Sequence, residues 1–242
     1  MRKPLRAELK FLIRHDEKVA LLERWKRHLV RDRYMKHDSG TPILSLYYDT
    51  PDLAFYWEKL DGVSFRNKVR LRTYGTRFRP GQATFIEVKQ RHGDHVRKFR
   101  QKVDNYCDCH LSPRHWTFDT REEQCAFGVL MERYRLLPCV QVWYQREVYE
   151  SVVEPGVRVS FDSCLTAIFP NQQLTTDHIF DPRTRLMPET RVVLEMKSNN
   201  GIPRWAQEGA RLVELVQIPV PKYVMAVEKL GIQGVPLAEN YR

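Results

Sequence analysis

No stretch of these 242 residues stays apolar for the about 18 positions that a membrane-crossing helix requires, which excludes a helical membrane span. The sequence also lacks a G-x-x-x-x-G-K-[ST] loop, so phosphate binding by a P-loop is excluded. It carries no nucleophile-elbow signal for a Ser–His–Asp hydrolase. Cysteines are few, odd in number at five, and without a C-x-x-C pair, which argues against a disulfide framework and predicts reduced thiols. Cys107-Asp108-Cys109-His110 has metal-ligand residue types, but no matching ligand pair follows it. No Gly/Ser tract or single-residue run interrupts the chain, and a hydrophobic share of 42% is that of a globular protein, so a single domain over 1–242 is expected. The opening Met1-Arg2-Lys3-Pro4 leads into charged alternation rather than an apolar signal core, which predicts a soluble, cytoplasmic protein.

Acidic residues are in deficit. Forty Lys and Arg face 30 Asp and Glu, a net charge of +10, and a surplus of that size raises the local concentration of phosphates, nucleic acid or acidic lipid. What the chain does contain is period-two alternation. Strands are predicted near 5–13, 42–49, 63–75, 83–91, 95–103, 139–150, 157–168 and 190–198, with 83–103 forming a hairpin about Arg91-His92-Gly93-Asp94. Helices are predicted near 16–31, where Leu21, Leu22, Trp25 and Leu29 share a face, and from Thr50 to about Leu60. Further helices are expected near 120–136, with Cys125, Val129 and Leu130 on the apolar side, and near 203–216 and 221–230, the last stopping at Gly231. The stretch 170–189 reads as a loop. The fold class is α+β, an antiparallel closed β-barrel with flanking helices.

Side chains at i, i+2 and i+4 share one face of a strand, and on the polar face of nearly every strand the residues are cations. The first strand offers Arg6, Glu8 and Lys10, and the strand 63–75 offers Lys68, Arg70 and Arg72. The hairpin adds Glu87 and Lys89, then Lys98 and Arg100, and later strands add Arg146, Arg158 with Asp162, and Glu195 with Lys197. A solvated sheet face mixes both signs, because like charges opposite one another are destabilising. Cations gathered on one parity are tolerable when a polyanion neutralises them, and closing the sheet places that anion in a charged tube. Nucleic acid is not expected, because its binders carry cations on an exposed ridge. Glu195, Glu8 and Glu87 are candidate ligands for Mg²⁺ or Mn²⁺, which bridge carboxylates to phosphate oxygens. Tyr47, Tyr48, Phe55, Tyr56 and Trp57 cluster at a strand–helix junction and read as core more readily than as an adenine stack.

Nine segments, in order along nearly the whole chain, resemble the VTC domain of polyphosphate polymerases, in the triphosphate tunnel metalloenzyme superfamily, specifically its small stand-alone bacterial members. They are Arg6-Ala7-Glu8-Leu9-Lys10-Phe11, Ser45-Leu46-Tyr47-Tyr48-Asp49-Thr50, Lys68-Val69-Arg70-Leu71-Arg72, Ile86-Glu87-Val88-Lys89 and Arg97-Lys98-Phe99-Arg100. The others are Tyr144-Gln145-Arg146, Arg158-Val159-Ser160-Phe161-Asp162, Leu194-Glu195-Met196-Lys197 and Pro221-Lys222-Tyr223. The resemblance implies an antiparallel tunnel that binds ATP and inorganic polyphosphate or triphosphate and moves the γ-phosphoryl group to a phosphate acceptor. It implies phosphate-binding roles for Lys10, Arg70, Arg72, Lys89, Lys98, Arg146, Arg158 and Lys222, with Lys10, Arg70, Arg72, Lys89 and Arg158 expected at the reacting phosphates. Arg6, Lys68, Arg100 and Lys197 are expected along the bound chain, and Glu195 at a Mn²⁺ or Mg²⁺.

Two positions depart from the related patterns. CYTH-type hydrolases read E-x-E-x-K on the first strand, whereas Arg6 stands at the first glutamate position here, which disfavours a two-metal hydrolase relative to a polymerase. A second lysine common in the last helix is replaced by Met225. A triphosphate hydrolase and a non-catalytic polyphosphate binder remain the rival readings.

Overall fold

The computed structural model describes residues 7–35, 37–93 and 95–232. Arg6 lies outside them. Alternation becomes a nine-stranded antiparallel sheet built from β1 (Ala7–Arg14), β2 (Leu29–Arg31), β3 (Thr41–Asp49), β4 (Phe65–Thr73), β5 (Thr84–His92), β6 (His95–Val103), β7 (Leu137–Ser151), β8 (Arg158–Ile168) and β9 (Arg191–Ser198). Its hydrogen-bonded order is β1-β9-β8-β7-β3-β4-β5-β6, with β2 pairing on β7. The helices are α1 (His15–Trp25), α2 (Ala54–Leu60), α3 (Arg121–Arg133), α4 (Thr176–Phe180), α5 (Arg204–Leu212) and α6 (Lys222–Leu230). Among the described residues no helix is long and apolar enough to cross a membrane.

The expected closed barrel is instead a curled open sheet. The ladder ends at β1 and β6, and no pairing joins them among the described residues. Curling is nonetheless strong. Four strands lie between β9 and β5 in the ladder, yet Glu8, Lys10 and Lys197 all act electrostatically on Lys89 of β5. Across this seam Glu8 attracts Lys89 while Lys10 and Lys197 repel it.

The apolar parity faces outward and is sealed by helices. Val69 and Leu71 of β4 and Ile86 and Val88 of β5 are buried with Trp116, Phe127 and Leu130, where α3 covers them. Phe11, Ile13, Leu194 and Met196 are buried with Leu21 and Trp25 of α1 and Ala206 and Ala210 of α5. These two helices touch because residue 209 is glycine: a Cβ there would stand 2.3 Å from the Trp25 indole Nε1. At one end of the sheet's concave side, α6 packs Val224, Met225 and Val227 against Tyr47, Val142 and Tyr144. It ends where expected, with Gly231 in the left-handed region at φ 59°.

Several expectations change. The first helix stops at Trp25, and Leu29–Arg31 pairs as β2 with Tyr149–Ser151, because the edge of β7 offers a ladder that helical spacing cannot reveal. Within 170–189 the short α4 forms, and in α3 Cys125 and Val129 are exposed while Phe127 and Leu130 are buried. Cys107 and Cys109 form a disulfide rather than remaining as free thiols, since the turn that carries them brings their Cα atoms within 5.4 Å.

Candidate active site

The concave face of the sheet encloses a cavity of about 390 Å³, lined by ten cationic and three anionic side chains. Strand register arranges these charges in rows. Lys68, Lys89 and Lys98 stand directly opposite one another across β4, β5 and β6. The next row inward is Tyr47, Arg70, Glu87 and Arg100, from β3 to β6. On the facing side Glu8 lies opposite Lys197, and Lys10 opposite Glu195.

Within the lysine row, Lys68 and Lys89 face one another as like charges across adjacent strands. Burial, together with the positive charge of Arg70, Lys222 and Lys89, holds the Lys68 ammonium down to about 8. Its ammonium lies over the Tyr47 ring, 5.1 Å from the centroid. Lys89 is likewise lowered, by burial and then by Lys98. The phenol of Tyr47 shows the same field with the opposite sign: burial pushes it up, but Lys68, Arg70 and Arg72 prevail and bring it to about 7. Its hydroxyl oxygen accepts from Arg70 Nη1 at 3.1 Å.

Glu87 binds arginines. Arg70 donates through Nε at 2.6 Å, with Arg100 at 3.4 Å and Arg72 at 3.6 Å, and these guanidinium groups overcome burial to hold Glu87 near 2. Asp162 does the same on the other wall. It is 1% exposed, accepts two hydrogen bonds from Arg146 at 2.6 and 2.7 Å, and lies 2.8 Å from Lys222 Nζ. Burial opposes its ionisation, yet Arg146 and Lys222 lower it to about 2. Arg146 and Lys222 also face the Tyr144 ring at 5.3 and 5.1 Å, so one carboxylate and one aromatic ring fix both cations.

Glu8 and Glu195 are brought together on neighbouring strands. Lys10 contacts both, at 2.8 Å from Glu195, while Lys197 approaches Glu195 at 3.0 Å and Arg146 at 3.8 Å. Burial works against the Glu195 charge, but Lys197, a hydrogen bond with Glu8, Lys10 and Arg146 hold its carboxyl well below the usual range. Two adjacent carboxylates facing a phosphate-sized cavity suit a hard divalent cation, which takes one or two carboxylates and fills its remaining positions with water and phosphate oxygens. Glu87 does not join them: among the described residues no three carboxylates bring their oxygens within 4.8 Å of one another.

Of the residues predicted from sequence, Lys10, Arg70, Arg72 and Lys89 line the cavity, as do Lys68, Lys98, Arg100, Arg146, Lys197 and Lys222. Arg158 is not among the lining residues. It sits at the outer end of β8, half exposed, and its guanidinium reaches Asp32 at 2.8 Å. Met225 is buried in the apolar packing of α6 and contributes nothing to the lining. Tyr47 and Tyr144 line the wall although the sequence suggested core for the first and gave no role to the second. Asp162 was legible as an inward-facing residue, but its role depends on the pairing of β7 with β8 that sets it opposite Arg146. Among the described residues, those that line the cavity include no serine, threonine or cysteine, and their fixed cations are suited to an extended polyanion.

A family model described as the VTC domain matches residues 5–231. Among curated proteins none matches the chain. Among solved structures, a provisionally assigned adenylate cyclase from Bacillus halodurans superimposes with a TM-score of 0.52 at 13% identity, covering 91% of this chain and 95% of its own. A protein of the same description from Vibrio parahaemolyticus gives 0.46 at 12% identity, over 93% of this chain and 99% of its own. The mimivirus capping-enzyme triphosphatase gives 0.38 at 11% identity, over 85% of each chain. At these identities the first likeness speaks for the fold alone.

Proposed function

The chain belongs to the VTC domain family, and from that premise we propose that it is a polyphosphate polymerase, transferring the γ-phosphoryl group of ATP to a phosphate or polyphosphate acceptor and releasing ADP. The observation that carries this reading is the row Lys68–Lys89–Lys98, three like charges set directly across adjacent strands and facing a cavity. Like charges so placed repel one another, and an anion with several charges lying along them relieves that repulsion. An extended phosphate chain spans successive rows.

In the transfer, an anionic oxygen of the acceptor attacks the γ-phosphorus, the bond from that phosphorus to the β–γ bridging oxygen breaks, and its electrons leave with ADP. No proton need be removed from the acceptor. The barrier is largely the approach of two anions, so catalysis rests on alignment and on cations already in place. Arg70, Arg72 and Arg100, splayed around Glu87, supply fixed guanidinium donors on one wall. Arg146 and Lys222, locked by Asp162, supply them on the other, and Lys10 and Lys89 close the space between. Glu8 and Glu195 would hold a Mg²⁺ or Mn²⁺ ion, which would supply further charge to the phosphate oxygens.

Incubation with ATP and Mn²⁺, followed by separation of ADP, orthophosphate and polyphosphate, tests the assignment. The expected products are ADP and polyphosphate, with both lost in Glu195→Gln and Arg70→Ala. Orthophosphate in place of polymer would make the enzyme a hydrolase. Binding of tripolyphosphate with no turnover in any variant would overturn catalysis altogether.

A further inference from the structure

The turn between β6 and α3 carries a second cluster of reactive side chains outside the cavity. Cys107 and Cys109 are exposed, His110 is half-buried, and the ligand atoms of all three lie within 4.8 Å of one another. His110 Nδ1 is 3.3 Å from Cys107 Sγ and 3.6 Å from Cys109 Sγ. A tetrahedral ion with bonds of about 2.3 Å to sulfur and about 2.0 Å to nitrogen separates those atoms by about 3.5 Å, so both nitrogen–sulfur spacings fit one ion, and the two sulfurs, bonded to each other in the disulfide, would part to about 3.8 Å on reduction to complete it.

We infer that, once the Cys107–Cys109 disulfide is reduced, Cys107, Cys109 and His110 form a chelate for Zn²⁺, with a fourth position open to solvent or an incoming ligand. Two further features prepare it. His110 Nδ1 already faces both sulfurs, and in the tautomer that carries its proton on Nε2 it has a lone pair to give the ion in place of the Cys107 backbone N–H, 3.2 Å away. The turn is anchored from the opposite side: Trp116 Nε1 donates to the His110 carbonyl at 2.7 Å, and the Tyr48 hydroxyl donates to the Leu111 carbonyl at 2.8 Å. Trp116 and Tyr48 are both buried, so the ligands project from a fixed base. A dithiol reductant gives two electrons and two protons to the disulfide and becomes a disulfide itself, and each thiol then releases a proton as its sulfur takes the metal. The disulfide and the chelate are alternative states of the same two sulfurs, so metal occupancy reports the thiol redox state.

The test uses the full chain reduced with a phosphine and titrated anaerobically with Co²⁺, whose thiolate charge-transfer absorption reports sulfur ligation, followed by Zn²⁺ competition. The expected result is one tight equivalent per chain with sulfur charge transfer, abolished by Zn²⁺. It is absent from the doubly substituted Cys107→Ser/Cys109→Ser chain and from the oxidised protein, and it is unchanged in Glu195→Gln, which removes a cavity carboxylate instead. Tripolyphosphate affinity, retained in the double variant, certifies its fold. Absence of charge transfer in the reduced wild type, or its persistence in the double variant, overturns the inference.

Discussion

Replacing Asp162 by asparagine should weaken the empty protein and make a bound polyanion more valuable to it. Asp162 is 1% exposed and compensates two cavity cations, Arg146 and Lys222. Its fall from the usual 3.8 to about 2 corresponds to about 2.5 kcal/mol of preference for the ionised form in the folded state. Removing one partner from a buried ion pair costs about 3–5 kcal/mol, because the remaining charge is left uncompensated. Glu195, at 3.8 Å from Arg146, softens the loss on one side, and Lys222 has no such substitute among the described residues. A loss of about 2–5 kcal/mol lowers the melting temperature by roughly 4–20 °C in a chain of this size.

Tripolyphosphate should then recover much of that loss. Ligand at a hundredfold excess over Kd stabilises a protein by about 2.7 kcal/mol, and the variant's cavity carries one more net positive charge than the wild type's. Thermal unfolding with and without tripolyphosphate therefore shows a larger upward shift for Asp162→Asn than for wild type. The pH dependence has a defined sign. A carboxyl depressed in the folded state contributes stability that is present above its unfolded value near 4 and disappears as pH falls toward 2, so the gap between variant and wild type is full at pH 7 and narrows below about 4. A variant that melts with the wild type at pH 7, or gains no more than wild type from tripolyphosphate, would refute the role given to Asp162.

Polyanion binding should take up protons, because it raises Lys68 from about 8 and Tyr47 from about 7, so affinity falls as pH rises from 7 to 9. Calorimetry in two buffers of different ionisation enthalpy measures the uptake, and an uptake undiminished in Lys68→Met and Tyr47→Phe would rule out this source. Arg158→Ala should leave tripolyphosphate affinity within about twofold, since its guanidinium is spent on Asp32, whereas Arg70→Ala, losing a charge-assisted contact of about 1.5–3 kcal/mol, should lose at least about tenfold in the same titration. Gly209→Ala drives a methyl group into the Trp25 indole and should cost about 1–3 kcal/mol in chemical denaturation, with Gly209→Ser no better.

The cavity wall was legible in the sequence to the extent that it depends on strand parity. Lys68, Arg70 and Arg72 alternate with Val69 and Leu71, and the backbone alone sends the first set inward and the second under the helices. What parity cannot supply is register. Lys68 meets Lys89 while Arg70 meets Glu87, and those pairings separate a like-charge contact from an ion pair. The same limit hides β2, whose three residues are strand only because β7 lies beside them, and the true setting of Arg158, whose inward parity is overridden by Asp32 from a distant loop. Closure was the least legible feature, since it depends on whether β1 and β6, strands far apart in the chain, pair at the ends of the ladder.

The same register explains why a cavity so rich in cations should still depend on Glu8 and Glu195. Lys10 and Lys197 are committed to those carboxylates, as Arg70 is to Glu87 and Arg146 to Asp162. A phosphate chain therefore competes with the protein's own anions for these donors. For Arg70 and Arg146 the competition is harmless, since a guanidinium has five N–H donors and keeps some free after binding one carboxylate. A lysine ammonium is a point charge, and one that spans Glu8 and Glu195 has little left to offer. A divalent cation on the two carboxylates would free Lys10 and Lys197 toward the phosphates. On this reasoning the metal's contribution runs through these lysines as well as through direct charge, and Glu195→Gln alone should release Lys197, leave Lys10 to Glu8, and reduce the metal dependence of tripolyphosphate binding while still abolishing transfer.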